Sequence, residues 1–184
     1  METKKSVYIS GYRSYEMGVF NEKDPKIKII KKAISSQLEA FIFEGTTWFI
    51  VSGHLGVELW AAQEVLRLKE DYPEIRLAIL LPFVGWGENW NEQNKQAFDE
   101  IKHRADYVNT VSHKKYENPQ QLKNHTQFLL RKTQGCLLVY DEEYPGKPHY
   151  FLQEAKEQQR RQNYLIQQIL MDDLENSINS YDFN

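Results

Sequence analysis

Two glycines, a serine, a histidine and a glutamate fall within seven positions of one stretch, Ser52-Gly53-His54-Leu55-Gly56-Val57-Glu58, between an apolar run and a helical pattern. Glycines at a strand-to-helix junction let the backbone turn tightly or approach a bound group closely. The first N–H groups of the following helix attract phosphate. Glu58 then has two readings: a carboxylate that offsets the helix dipole, or an acceptor for ribose hydroxyls. His54, between the glycines, stands as a possible phosphate contact or as a turn residue. A GxxG spacing is neither GxGxxG nor a Walker loop, so this stretch alone leaves both readings open.

Three further segments carry comparable chemistry. Ser10–Gly18 (SGYRSYEMG) places Arg13 two residues beyond Gly11, where a guanidinium can clamp phosphate bidentately or pair with Glu16 or Asp24. Pro82–Asn94 (PFVGWGENWNEQN) offers Trp86 for stacking on a base and Trp90 for pinning a helix, with Asn89 as a helix cap and Glu92 as its capping-box partner. Asp141–Tyr150 (DEEYPGKPHY) joins Asp141 and Glu142 to Gly146-Lys147 at another helix start, again suited to phosphate. Seven of the nine glycines lie in these four segments, the clustering that close approach to a ligand requires.

The elements that position these segments are short apolar runs alternating with helical spacing. Strands are predicted at Val7–Ser10, Trp48–Ser52, Arg76–Leu81, Tyr107–Ser112, Cys136–Tyr140 and Tyr164–Met171. Helical stripes run through Ile27–Ile42, Val57–Leu68, Ala97–Ile101, Leu122–Leu130 and His149–Arg161, with a short last helix in MDDLENSI. This alternation predicts an α/β fold: a single Rossmann-like, doubly wound and mainly parallel sheet, flanked by helices on both faces and spanning residues 1–184. In such a sheet, ligands bind outside the carboxyl ends of the strands, where all four segments fall.

Composition narrows the partners. A net charge of −3 gives no general attraction to nucleic acid, so DNA binding is disfavoured. The basic stretch Lys23–Lys32 interleaves its lysines with Ile27, Ile29 and Ile30, as a solvated helix face does. The single cysteine, Cys136, sits in the apolar run CLLVY as a buried thiol and forms no intrachain disulfide. His54, His103, His113, His125 and His149 show no metal-ligand spacing, so no metal is expected. No apolar stretch has the length of a membrane span, and the N-terminal METKKSVYIS lacks the apolar core of a signal peptide, so the expected location is cytoplasmic.

Taken in order, VYISGYRSYEMGVF, VSGHLGVELWAAQEV, LPFVGWGENWNEQNK and LLVYDEEYPGKPHY resemble the YpsA family of Gram-positive bacteria, as does the ending YLIQQILMDDLE. That family is similar to the wider SLOG group, which includes DNA-processing protein A and the LOG phosphoribohydrolases. The resemblance implies a site for a nucleotide-derived ligand such as ADP-ribose or NAD, with Gly11, Arg13, Gly53, Gly56 and Glu58 as its pocket. It also implies a ligand-responsive role linked to cell division, with a protein partner from that process. His54 departs from the glycine that the family pattern suggests at this position. The PGGxGTxxE signature of the LOG enzymes is absent, which favours a binding protein over a nucleotide N-glycosidase. If the chain is an enzyme, Glu58 is the candidate catalytic carboxylate, by analogy with glycoside hydrolysis.

Overall fold

The computed structural model describes residues 5–181, with side chains to residue 178. Residues 1–4, part of the N-terminal stretch considered above, and residues 182–184 lie outside the described residues. Six strands form one sheet, all parallel: β1 (Lys5–Gly11), β2 (Thr46–Val51), β3 (Arg76–Leu81), β4 (Tyr107–Thr110), β5 (Gly135–Val139) and β6 (Leu165–Ile169), in the order β4-β3-β2-β1-β5-β6. The helices are α1 (Pro25–Phe43), α2 (Val57–Leu68), α3 (Glu92–Arg104), α4 (Gln120–Lys132), α5 (His149–Arg161) and α6 (Met171–Tyr181).

The chain steps outward from β1 to β4, and α4 then returns it to β5 on the other side of β1. Right-handed crossovers place α1, α2 and α3 on one face and α4 and α5 on the other. The packing agrees: α1 lies against α2 and α6, α2 against α3, and α4 against α5. Parallel strands covered on both faces must be apolar throughout. Leu77 to Leu81 of β3 and all of β5 are accordingly buried. Because every strand runs the same way, the segments after β1, β2, β3 and β5 emerge along one edge of the sheet.

Several boundaries differ from the predicted ones. The fourth strand stops at Thr110 rather than Ser112, and the last spans Leu165–Ile169 rather than Tyr164–Met171, because the pairing register ends there. The cap of α3 is Asn91, not Asn89: its side chain accepts the Asn94 amide at 2.8 Å. Asn89 falls in a turn stitched by Glu88 N–H to the Gly85 carbonyl and Trp90 N–H to the Gly87 carbonyl, so the helix starts later and Glu92 is its first residue. In α4 the buried face is Gln121, His125, Thr126, Leu129 and Leu130, while Leu122 is 40% exposed. Three polar side chains, Gln121, His125 and Thr126, turn inward there because each finds hydrogen bonds. At the start of α1, Asp24 caps with Pro25 next to it. Ile27, Ile30 and Ala33 are buried, Lys26 and Lys28 exposed, and Lys31 half-buried.

Candidate functional site

The junction after β2 depends on two glycines held at positive φ, 90° for Gly53 and 108° for Gly56. Neither position has room for a side chain. A Cβ on Gly53 would lie 2.6 Å from the Leu81 side chain, and one on Gly56 would lie 2.4 Å from the Ser14 amide nitrogen. The segment after β1 crosses directly over the start of α2, where Arg13 and Gly56 form an antiparallel bridge and the Val57 N–H donates to the Tyr12 carbonyl at 3.1 Å. That takes one N–H of α2. The next two have no carbonyl behind them in the helix, and no side chain caps this end. Arg13 stands beside it. Its Nη1 donates to the Gly11 carbonyl at 2.9 Å, which fixes the guanidinium and leaves its other donors available. Glu16 accepts from the Arg13 amide, and Asp24 pairs with Lys26, so neither carboxylate takes the guanidinium.

Glu58 points inward from the first turn of α2 and is 1% exposed. Its Oε1 accepts the Ser52 amide at 2.5 Å and the Ser52 hydroxyl at 2.8 Å, and its Oε2 accepts the Ser10 hydroxyl at 2.9 Å. The Tyr8 hydroxyl adds contacts to Ser52 Oγ at 2.9 Å and to Oε2 at 3.3 Å. Burial opposes the charge of Glu58, but nearby His54 and Arg13 and the Ser52 donors more than offset it, holding the carboxyl below its ordinary value. The same surroundings raise Tyr8, through burial first and the Glu58 charge second. Glu58 is therefore an ionised carboxylate whose lone pairs are occupied by the protein itself. It sets the local field and orders two strand ends, those of β1 and β2; it is a weak proton acceptor.

His54 lies over this carboxylate, Nε2 3.8 Å from Oε2, with its side chain 21% exposed. Burial pushes the imidazole down to about 4, Glu58 opposing and Arg13 and His125 reinforcing the shift, so His54 is neutral at pH 7. His125 reaches the same region from α4, with Nε2 2.7 Å from the Leu80 carbonyl. Trp86 donates its indole N–H to the Gly53 carbonyl at 2.9 Å and meets the His54 ring edge-on at 5.0 Å. Trp90 stands edge-on to Phe98 at 5.4 Å, against the base of α3.

Gly11, Arg13, Gly53, His54, Gly56, Glu58 and Trp86 thus meet at the ends of β1, β2 and β3. Asp141, Gly146 and Lys147 follow β5, across a clasp formed by two side chains from the β1 segment. The Tyr12 hydroxyl shares its one proton between the carbonyls of Asp141 (3.0 Å) and Tyr144 (2.8 Å) and accepts the Asp141 amide (3.0 Å). Glu16 accepts the amides of Arg13 and Lys147, both at 2.8 Å. Asp141 is engaged in structure, accepting the amides of Glu143 and Met171, and Glu142 pairs with Lys156. The start of α5, at Pro148, has no side-chain cap. Beside it the buried Tyr140 hydroxyl has no hydrogen-bond partner among the described residues. A groove of about 950 Å³ lies elsewhere, between α2 and α3, lined by Lys31, Gln63, Leu66, Asp99 and Arg104 among others. No group of three His, Cys, Asp or Glu among the described residues is placed to hold a metal ion. No described helix is long and apolar enough to cross a membrane.

Sequence reasoning missed Tyr8, Ser10, Ser52, His125, Tyr12 and Glu16. One signal was present: Ser10-Gly11 and Ser52-Gly53 repeat the same pair at the ends of two strands, and both serines bond Glu58.

Comparison with known proteins gives a consistent result. The model of the YpsA family, described as the YspA SLOG family, matches residues 7–174. A UPF0398 protein of Enterococcus faecalis is 50% identical over 178 residues, covering 97% of this chain and 99% of that protein. UPF0398 proteins of Bacillus velezensis and Bacillus cereus are 40% and 39% identical, each covering 98% of its own length.

Proposed function

The chain belongs to the YpsA (YspA SLOG) family, and on that premise we propose that it binds a nucleotide or nucleotide derivative, of the ADP-ribose or NAD kind, at the ends of β1, β2 and β3. The observation that carries this reading is the uncapped start of α2, to which the Arg13 backbone is bridged at Gly56 while its guanidinium is anchored on the Gly11 carbonyl. Free amides, a helix dipole and a guanidinium with unused donors together favour a phosphate. Gly11, Gly53 and Gly56 keep that approach clear of side chains, while His54 and Trp86 border it. On the β5 side, Gly146 and Lys147 flank the uncapped start of α5, which suits a second phosphate, and Asp141 holds that segment in place.

Binding rather than cleavage is the better-supported role. An N-glycosidase needs a carboxylate free to direct water or face the ribose, whereas Glu58 is sealed among Ser10, Ser52 and Tyr8. The family resemblance supports reading the protein as a cytoplasmic, ligand-responsive regulator connected with cell division, its occupancy passed to a protein partner. The test is a thermal-shift and calorimetric panel of NAD, ADP-ribose, ATP, AMP and cyclic dinucleotides. One of these is expected to raise Tm, by the equivalent of about 2.7 kcal/mol at a hundredfold excess over Kd. Arg13→Ala is expected to abolish the shift without lowering the Tm of the free protein. No shift from any of the panel would refute the reading.

A further inference from the structure

A row of aromatic rings leads away from His54. Its ring meets Trp86 at 5.0 Å, Trp86 meets Phe83 at 5.3 Å, and Phe83 meets Tyr116 at 5.2 Å, each tilted or edge-on. Along this row Trp86 is held between His54 and Phe83, nearly perpendicular to both, with its N–H on the Gly53 carbonyl. Tyr116, at the outer end, is 50% exposed.

An exposed tyrosine in a nine-residue connection is ordinarily free to move. This one is not, because the segment between β4 and α4 is built around the side chain of Gln121. The Gln121 Oε1 accepts the amides of Glu117 (2.6 Å) and Asn118 (3.1 Å), and its Nε2 donates to Ser112 Oγ (2.8 Å) and the Lys115 carbonyl (3.0 Å). The Val84 amide donates to the Lys114 carbonyl at 3.0 Å, which ties the segment to the one bearing Phe83. A buried amide side chain that fixes the backbone on both sides of an exposed ring prepares that ring for a contact at little entropic cost. The ring stands at the same sheet edge as Arg13 and the start of α2.

We infer that Tyr116, backed by Phe83, is the platform on which the base of a bound nucleotide stacks, and that Trp86 is a brace that positions Gly53. The inference rests on the nucleotide reading of the site and extends it: the ligand carries a planar heterocycle at one end and a phosphate at the other. Laid along the aromatic row, it has its phosphate at Arg13 and its base at Tyr116. Tilted aromatic contacts and base stacking need only a π-face, so this platform grips the base without selecting among bases.

The test is calorimetry with ADP-ribose, or with NAD or ATP if the wild-type chain takes those instead, beside ribose 5-phosphate, which has no base. Tyr116→Ala is expected to weaken the base-bearing ligand by about five- to a hundredfold and to leave ribose 5-phosphate unchanged, while Tyr116→Phe restores wild-type affinity. Trp86→Phe, which loses the bond to Gly53, is expected to weaken both ligands alike. Saturation-transfer NMR gives a second readout: the ring protons of adenine receive strong saturation from the wild-type protein and lose it with Tyr116→Ala. Unchanged affinity and saturation in Tyr116→Ala, or equal weakening of both ligands, would overturn the platform while leaving the nucleotide reading in place. A wild-type chain that binds none of these compounds would overturn both.

Discussion

Glu58, on the first turn of α2, accepts both donors of Ser52 at the end of β2, the amide at 2.5 Å and the hydroxyl at 2.8 Å. The carboxylate thereby does structural work that its place in the sequence did not announce. Truncation strands the Ser52 amide and the Ser10 hydroxyl in the interior, each costing about 1–3 kcal/mol. Glu58→Ala is therefore expected to lower stability by about 3 kcal/mol or more in urea unfolding. Glu58→Gln keeps the volume but turns an acceptor into a donor beside existing donors, and is expected to cost about 1–2 kcal/mol. A Glu58→Ala protein as stable as wild type would show that the network contributes nothing.

The imidazole above this carboxylate sets a pH dependence. Burial holds His54 near 4 in the folded protein, against an ordinary value of 6.5, with Glu58, Arg13 and His125 the charged or titratable groups facing it. Between those two values the unfolded chain binds a proton that the folded one does not, so stability rises with pH across this window and falls as pH drops through it. Glu58, held below its ordinary value, stabilises above the carboxylate range and ceases to do so only further down. Tm measured from pH 7.5 to 5 is expected to decline in the wild type and to decline less in His54→Gln. NMR titration of the His54 ring should show it neutral through pH 6.

Gly56 and Gly45 contrast a crowded positive-φ position with an open one. Both have positive φ, 108° and 102°, but a Cβ at Gly45 meets nothing within 4 Å while one at Gly56 meets the backbone of Tyr12, Arg13 and Ser14. Gly45→Ala is expected to cost about 1 kcal/mol, the left-handed penalty alone. Gly56→Ala has to push the β1 segment off α2, and its cost should exceed that by about 2 kcal/mol or more. Equal losses for the two variants in denaturant unfolding would mean that the β1 segment yields freely.

The bounds of β3 and α5 were legible because their signals are local: an unbroken apolar run in one, Pro148 and a helical stripe in the other. The convergence of Gly11, Arg13, Gly53 and Glu58 followed from parallel strand order, which any βαβ alternation implies. What sits around Glu58 was not legible. Tyr8, Ser10 and Ser52 are ordinary strand residues until the register brings them together, and Ser10 lies 48 positions from its acceptor. The inward turn of Gln121 and His125 was hidden for the same reason. A polar side chain in a helical stripe looks solvent-facing unless its distant partner, here the Leu80 carbonyl or the segment 112–118, is known.

Cys136 supplies a probe of global unfolding. The thiol is buried in β5, and burial pushes it up to about 12, so neither thiolate nor access is present in the folded protein. A thiol reagent at pH 8 is expected to leave the native protein unmodified and to label one equivalent in denaturant. The labelling rate at intermediate urea should follow the unfolding curve from tryptophan fluorescence. Rapid native-state labelling would indicate that the edge beyond β5 opens locally.

The clasp between the β1 and β5 segments decides whether the two candidate phosphate positions communicate. The Tyr12 hydroxyl is the shared partner of Asp141 and Tyr144, and Glu16 ties Lys147 to Arg13. Tyr12→Phe removes three contacts at once and leaves the Asp141 amide without its acceptor, at an expected cost of about 1–3 kcal/mol. Hydrogen exchange localises the effect: the amides of residues 141–147 should exchange faster, while those of β3 and α2 should not. If ligand binding at Arg13 also requires the β5 segment, Tyr12→Phe will weaken it although the residue lies outside the proposed phosphate contacts. Unchanged affinity alongside faster exchange would confine the ligand to the β1, β2 and β3 ends, since a segment that has been loosened without effect on binding cannot be holding part of the ligand.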